Sequence, residues 1–544
     1  MACKCLLVSL AGTPKILSDF VPDNGLASLA ACLLKSGHEA LIRDYNHPEL
    51  FSSLYPPAGR KFLKSFAEKV FLLNRRPSAG DLLALKGIDH CLRLSKKKFV
   101  WRLKKKLLEE VKKNRIDFLG LKLWAGEGFQ WSLEVADFLK KNVPGLRVFG
   151  GGPQVDIFGQ HIFSVSSCFD ALCYGEGEET VVQLAEFTLG KMPLAEVPNI
   201  YYQQDGRIVK NSRKEISSLD ELPNPVYQPE VYKDIHKKIK MFVIDESRGC
   251  VNRCFFCIHP VKSGDRRAKS PSRILKELKH YQDSYGVSLF RFAGSSTPSD
   301  LMGEVARLVL TEGLNIKYSS FGSLREFKNN ATLFPLLKRS GCQSIFFGVE
   351  SANETILLQA MNRRVKKIEM EATLQACVNS GIFTVVSVIF PAPFETQESR
   401  KETLDFLKKV KPHSILVQFP GIYPGTAWFE QAELFGFSLD KKRYPRQVMT
   451  YQIKSLFPPR YWKPLPYRVN GLPFQLFARQ TEVFQTDLKK AGLETGVSDE
   501  AYLLFQVSGM KTLDEFVRWN RCWLYSGQGD ALREEIETIN RNSG

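Results

Sequence analysis

The stretch Gly249-Cys250-Val251-Asn252-Arg253-Cys254-Phe255-Phe256-Cys257-Ile258-His259-Pro260, GCVNRCFFCIHP, sets three cysteines apart by three and two intervening residues. It follows an apolar run, KMFVIDES (Lys240 to Ser247), that reads as a strand, and it precedes a helical pattern starting near Ser272. Three thiols in one polar, glycine-flanked loop are hard to explain as packing. A structural zinc wants four ligands, commonly two pairs of Cys or His, and no second pair lies nearby; His259, two residues past Cys257 and followed by proline, is badly spaced. A four-iron cluster can leave one iron open to a small molecule, so thiolates from Cys250, Cys254 and Cys257 fit a cluster with one open site.

At 544 residues, 44% hydrophobic and 25% charged, the chain has globular composition and the length of two to four domains. The other nine cysteines are scattered, mostly inside apolar runs, as a reducing compartment allows. The apolar run at the amino end, Leu6 to Leu10, is too short for a signal or a span. A cytoplasmic protein with no transmembrane segment is expected. The net charge of +18 draws on Ser95 to Arg115, SKKKFVWRLKKKLLEEVKKNR, in which Phe99, Val100, Leu103, Leu107, Leu108 and Val111 recur at helical spacing beneath a lysine-rich face. A solvated face accounts for that pattern; an acidic partner or a membrane surface is the alternative. With no arginine-rich reader helix or aromatic single-strand motif, nucleic acid is not an expected partner.

The first two hundred residues alternate strand and helix: strands over Lys4–Leu10, Gly37–Asp44, Ile116–Trp124, Leu146–Pro153 and Asp170–Gly175, with a helix over Gly25–Lys35. That alternation predicts an α/β unit with a parallel sheet, whose ligands sit at the carboxyl ends of the strands. A polar stretch with Pro198, Pro223 and Pro225 reads as a linker over 201–239. A second βα series over 240–430 has strands at Lys240–Ser247, Val287–Gly294, Asn315–Phe321, Gln343–Glu350, Phe383–Phe390 and His413–Gly421, six units that predict a partial barrel with function on the loops after the strands. Residues 431–544 read as a mostly helical appendage. Gly150-Gly151-Gly152-Pro153 is a loop where missing Cβ atoms let backbone approach a large ligand. Glu350, an acid at a buried strand end, must be paired or bind a polar group.

The cysteine loop resembles that of the radical S-adenosylmethionine (SAM) enzymes, CxxxCx(aromatic)C after the first strand of a partial (β/α) barrel, with Phe256 as the aromatic. The resemblance implies that Cys250, Cys254 and Cys257 hold a [4Fe-4S] cluster whose open iron is chelated by SAM. It is extended by FGVESANETILLQAMNR (Phe347 to Arg363), similar to GxESG...LxxMNK, by VIFPAPFET (Val388 to Thr396) and by FPGIYPGTAWF (Phe419 to Phe429). It implies SAM contacts at Ala293 and Gly294, where FRFAG departs from the family's acidic version, and at Arg325, Glu350 and Ser351.

The first unit is similar to the cobalamin-binding domain of the B12-dependent branch of that family. Pro22–Asp44 resembles PxxGLxxLAAxLxxxGHEVxxxD, LRVFGGGPQ resembles VxxGGPH, and Tyr174–Leu184 resembles GEGExTxxxL. This implies a Rossmann-like cobalamin domain over 1–200, with the tail of the cofactor near Gly150, Gly151, Gly152 and Pro153, a contribution from Gly175 and Glu176, and Leu123 and Trp124 approaching the lower face of cobalt. The DxHxxG motif is absent, so His47 is not expected as an axial ligand. The implied activity is transfer of a methyl group from SAM, through methylcobalamin, to an unactivated carbon or phosphorus of a small-molecule or peptide substrate, with an external electron donor such as flavodoxin or ferredoxin. A cyclase or rearrangement without net methyl transfer is the alternative; a non-enzymatic carrier or RNA-binding adaptor is disfavoured.

Overall fold

The computed structural model describes residues 2–295, 297–453 and 457–544. Its first sheet contains β1 (Lys4–Ser9), β2 (Glu39–Asp44), β3 (Phe118–Lys122), β4 (Arg147–Gly151), β5 (Ala171–Cys173), β6 (Ile200–Gln204), β7 (Arg207–Lys210) and β8 (Tyr232–Lys233), in the order β7-β6-β5-β4-β3-β1-β2-β8. Strands β1 to β5 and β8 are parallel, and β6 and β7 run antiparallel at one edge. Both faces of β1 are buried because helices cover both sides, which is why KCLLVS reads as a continuous apolar run. The chain leaves β1 toward β2 and returns to β3 on the other side, so the loops after β1 and β3 diverge and open a crevice at the strands' carboxyl ends. Helix Asn24–Lys35 starts where the Asp23 side chain accepts from the Leu26 N–H at 3.1 Å, and Gly37, at φ +82°, lets the chain turn into β2.

The stretch read as a linker over 201–239 contributes three short strands to this sheet and is otherwise irregular. Strands β6 and β7 form a hairpin on β5, and β8 extends the far edge beside β2. Tyr232 is fully buried, its hydroxyl donating to Asp44 at 2.7 Å, and Lys238 pairs with the same carboxylate at 2.7 Å.

The second unit is built on β9 (Met241–Ile244), followed by the short strands β10 (Ser247–Arg248) and β11 (Arg267–Ala268), then β12 (Leu289–Phe292), β13 (Lys317–Gly322), β14 (Cys342–Glu350), β15 (Phe383–Ile389) and β16 (Ser414–Gln418). Six of these form an all-parallel sheet, β16-β15-β14-β13-β12-β9, whose end strands do not pair with each other, the partial barrel expected. All seven residues of β15 are buried, as a strand covered on both faces requires.

Beyond residue 430 the chain is mostly helical, with one small three-stranded sheet. Helix Asp499–Ser508 lies against the barrel, where Arg291 of β12 pairs with Glu500 and Asp499. Helix Gly529–Asn542 reaches back to the first unit through Asn540, which donates to the Lys238 carbonyl at 2.8 Å. Among the described residues no helix is long and apolar enough to cross a membrane.

Candidate active site

The three-cysteine loop is fixed at both ends and at its middle. Strands β10 and β11 pair antiparallel across its base, Arg248 opposite Arg267. Gly249 follows at φ +74°, where a Cβ would stand 2.2 Å from the Asp265 carbonyl oxygen, so only glycine fits. Phe255 N–H donates to the Met361 carbonyl, and Trp428 N–H to the Phe255 carbonyl, each at 3.1 Å. The Phe256 ring packs on that of the fully buried Trp428, centroids 5.3 Å apart. This aromatic assigns Trp428 to support of the loop. Tyr461 is exposed, and Trp462 packs on Phe474.

Cys250 is buried, and Cys254 and Cys257 are half-buried. Burial pushes the Cys254 and Cys257 thiols up, Cys257 to about 12, with the neighbouring sulfurs adding to the effect. Thiols so placed ionise when a cation offsets the lost solvation. Among the described residues no group of three His, Cys, Asp or Glu is gathered as a single ion requires. A four-iron cluster is wider than one ion, and a three-thiol donor set leaves it one open iron. The donor chemistry therefore fits a cluster.

Glu350 ends β14 with φ +66°, a left-handed backbone that turns its carboxylate inward. It accepts from Ser387 Oγ at 3.0 Å and from Arg363 at 3.3 Å, and burial raises its pKa. Gly348 makes room for it, since a Cβ there would lie 2.4 Å from Glu350 Oε1. Ser351 turns toward helix Gln397–Val410, its hydroxyl 3.5 Å from Thr403 Oγ1, and it accepts from the Asn353 N–H. Arg325 is exposed and reaches Asn252 on the rim of the cysteine loop at 3.5 Å.

At the end of β12, Ala293 N–H donates to the Ile244 carbonyl, and Gly294 N–H donates to both oxygens of Glu246, at 3.0 and 3.1 Å. Glu246 is fully buried, also accepts from Thr297 Oγ1 at 2.5 Å, and is pushed up to about 7 by burial. The sequence reading missed it. Its only signal was an acid between an apolar strand and the cysteine loop.

A cavity of about 380 Å³ lies between the two units. Leu7, Gly120, Phe149 and Gly150 to Pro153 line it from the first sheet, and Arg248, His259, Lys262 and Ala293 from the second unit. The glycines have different roles. A Cβ on Gly120 would stand 2.8 Å from Leu7 Cδ2 on the cavity side of the sheet, so this glycine keeps the cleft open. A Cβ on Gly150 would press on Leu172, Leu123 and Phe169, so its small size serves the packing beneath. Gly152, at φ +90°, turns the chain into helix Pro153–Phe158. Gly175 also lines the cleft, its N–H held by Asp156 at 2.8 Å. Gly120 was not singled out from the sequence; its signal was a lone glycine inside the strand IDFLGLKLW, a sign of close approach.

Several expected contacts differ in the structure. Leu123 is fully buried under Gly150, so its side chain does not reach either large cavity, because successive strand residues face opposite sides. Trp124 lines a second cavity of about 390 Å³, with its indole N–H 2.9 Å from Ser9 Oγ and Lys122 Nζ 4.3 Å from its ring centre. Lys122 borders both cavities and pairs with Asp23 at 2.8 Å. Glu176 lines the first cavity beside Gly175 and is also a tether: it accepts from Arg267 at 2.7 Å and from the Ile216 N–H at 2.6 Å. His47 is buried beside Phe51, and burial drives its pKa down to about 4; it lines neither large cavity.

Residues 246–407 match the model of the Radical SAM superfamily, a span that contains the cysteine loop and most of the barrel. The chain carries a radical SAM domain. Its fold over the whole length is shared with two solved cobalamin-dependent radical SAM enzymes. The TsrM methyltransferase from Kitasatospora setae, solved with cobalamin and a [4Fe-4S] cluster bound, matches 100% of this chain and 99% of its own at a TM-score of 0.63 and 14% identity. OxsB with aqua-cobalamin bound matches 96% of this chain and 72% of its own at 0.64 and 14% identity. Among curated relatives, an uncharacterized methyltransferase of Pyrococcus horikoshii is 26% identical over 55% of this chain and 65% of its own. The anaerobic magnesium-protoporphyrin IX monomethyl ester cyclase of Synechocystis is 25% identical over 40% and 45%. The chain thus spans about half to two thirds of the length of these curated relatives.

Proposed function

We propose that the chain is a cobalamin-dependent radical SAM methyltransferase acting on a small molecule. The observation that carries this reading is the position of the cleft, bounded on one side by the glycine-rich strand ends of the first sheet and on the other by Arg248 and His259, the residues that flank the three cysteines in the chain. The donor set of that loop fits a [4Fe-4S] cluster. The cleft, apolar against Leu7, Phe118 and Phe149 and opened by Gly120, fits the flat tail of a cobalamin. When bound, the cluster and SAM supply radical initiation, and cobalamin carries the methyl group.

The chain's own residues hold and orient. Glu350, kept inward by Ser387 and Arg363, offers a carboxylate beside the thiols to the polar end of SAM. Ala293 and Gly294, fixed by Ile244 and Glu246, offer main chain. His259, 3.1 Å from Ser295 Oγ and driven down to about 4 by burial, is neutral at the cleft wall. The second cavity, between Trp124 and Arg291 with Glu500, gives a substrate room beside the cobalamin cleft. A relative named as a methyltransferase is matched over 65% of its own length and the cyclases over 45% to 50% of theirs, which supports this reading over the cyclase. The test is anaerobic reconstitution with iron, sulfide, cobalamin and SAM carrying a labelled methyl group, followed by mass analysis of extracts incubated with the enzyme. Label in a product supports methyl transfer; deoxyadenosine without label in any product supports the cyclase or rearrangement.

A further inference from the structure

The lysine-rich helix, Ala79–Asn114, buries Leu85, Leu92, Phe99, Leu103 and Leu107 against the first unit. Leu83, Leu94 and Trp101 lie on its opposite side, 71%, 54% and 53% exposed. They follow each other by about three and two helical turns, so they form one straight stripe. Lys97, Lys98, Lys105 and Lys112 flank that stripe, and Lys105 Nζ sits 4.1 Å over the Trp101 ring. Other cations of the helix are tied down: Lys96 to Glu127 at 2.7 Å and Lys104 to Glu134 at 3.6 Å. The four stripe lysines make no ion pair among the described residues.

We infer that this stripe docks the protein on an anionic lipid bilayer. A helix of 36 residues presenting leucine and tryptophan between lysines that no carboxylate among the described residues neutralises fits a flat, negatively charged surface, with the lysines at the headgroups and the apolar side chains among them. The chain's net charge of +18 adds long-range attraction to the same surface.

Co-sedimentation of the full chain with vesicles tests this. The protein should pellet with vesicles of phosphatidylglycerol and phosphatidylcholine but not of phosphatidylcholine alone, and high salt should release it. Leu94→Ser with Trp101→Ser, which leaves the charge unchanged, should weaken binding about tenfold, and each of Lys97→Gln and Lys98→Gln about fivefold. No pelleting with the anionic vesicles would overturn the inference. Binding that the lysine variants weaken and the Leu94/Trp101 variant does not would also overturn it, pointing to a polyanion held by charge alone. All four positions are on the solvent side of the helix, away from the cleft, so the outcome is independent of the methyltransferase reading.

Discussion

Arg248 and Glu178 join the two units across the edge of the cleft. The guanidinium, one residue before Gly249, donates to the Glu178 carboxylate at 2.5 Å and lies 2.7 Å from Asp245. Glu178 opens helix Glu178–Thr188 in the first unit, and both side chains are nearly buried. The cysteine loop is thereby registered against the glycine-rich strand ends. Replacing Arg248 with Met leaves the buried Glu178 carboxylate without its partner and should cost about 3 kcal/mol. Urea unfolding of the metal-free chain would read that loss, and an unchanged midpoint would count against the tether.

Cys254→Ala should abolish iron uptake in anaerobic reconstitution while far-ultraviolet circular dichroism stays that of the parent. The loop is held by backbone bonds at Cys250, Phe255 and Trp428 that do not use this thiol. Full iron content in the variant would contradict the three-thiolate assignment.

Gly120→Leu should fill the cleft where Leu7 and Phe149 line it and weaken cobalamin binding at least about tenfold, with a stability loss of about 1–3 kcal/mol from overpacking. Equilibrium dialysis with the cofactor measures the first and thermal unfolding the second. Cobalamin affinity equal to that of the parent would place the cofactor elsewhere.

Glu246 makes stability depend on pH in a definite direction. Its folded-state pKa of about 7 lies above its ordinary value of 4.5. Between those values the folded chain keeps a proton that the unfolded chain has released, so this contribution is present below 4.5, falls as pH rises to about 7, and stays lost above. Glu246→Gln keeps an acceptor for Gly294 and should flatten the dependence of unfolding free energy on pH over that window. An undiminished slope would assign the dependence to another group.

The strands of both units were legible because parallel strands covered on both faces are apolar runs, and KCLLVS, FTVVSVI and CQSIFFGVE are bounded within a residue or two. The strands within 201–239 were not legible because they are short, two to five residues, and polar at their exposed edge, as in RIVK. The cysteine loop was legible from spacing alone. Glu246, Arg248 and the Lys122–Asp23 pair were not, because their importance lies in partners 48, 70 and 99 residues away in sequence. Leu123 was misplaced because reading a loop as a unit ignores that neighbouring strand residues face opposite sides.

The central claim is that one cleft holds a cobalamin against a three-thiolate cluster. Metal and cofactor analysis of the anaerobically reconstituted, desalted chain tests it most directly. About four irons and one cobalamin per chain are predicted, with iron lost in Cys254→Ala and cobalamin lost in Gly120→Leu. Zinc in the cysteine loop, or iron bound with no cobalamin retained, would contradict it.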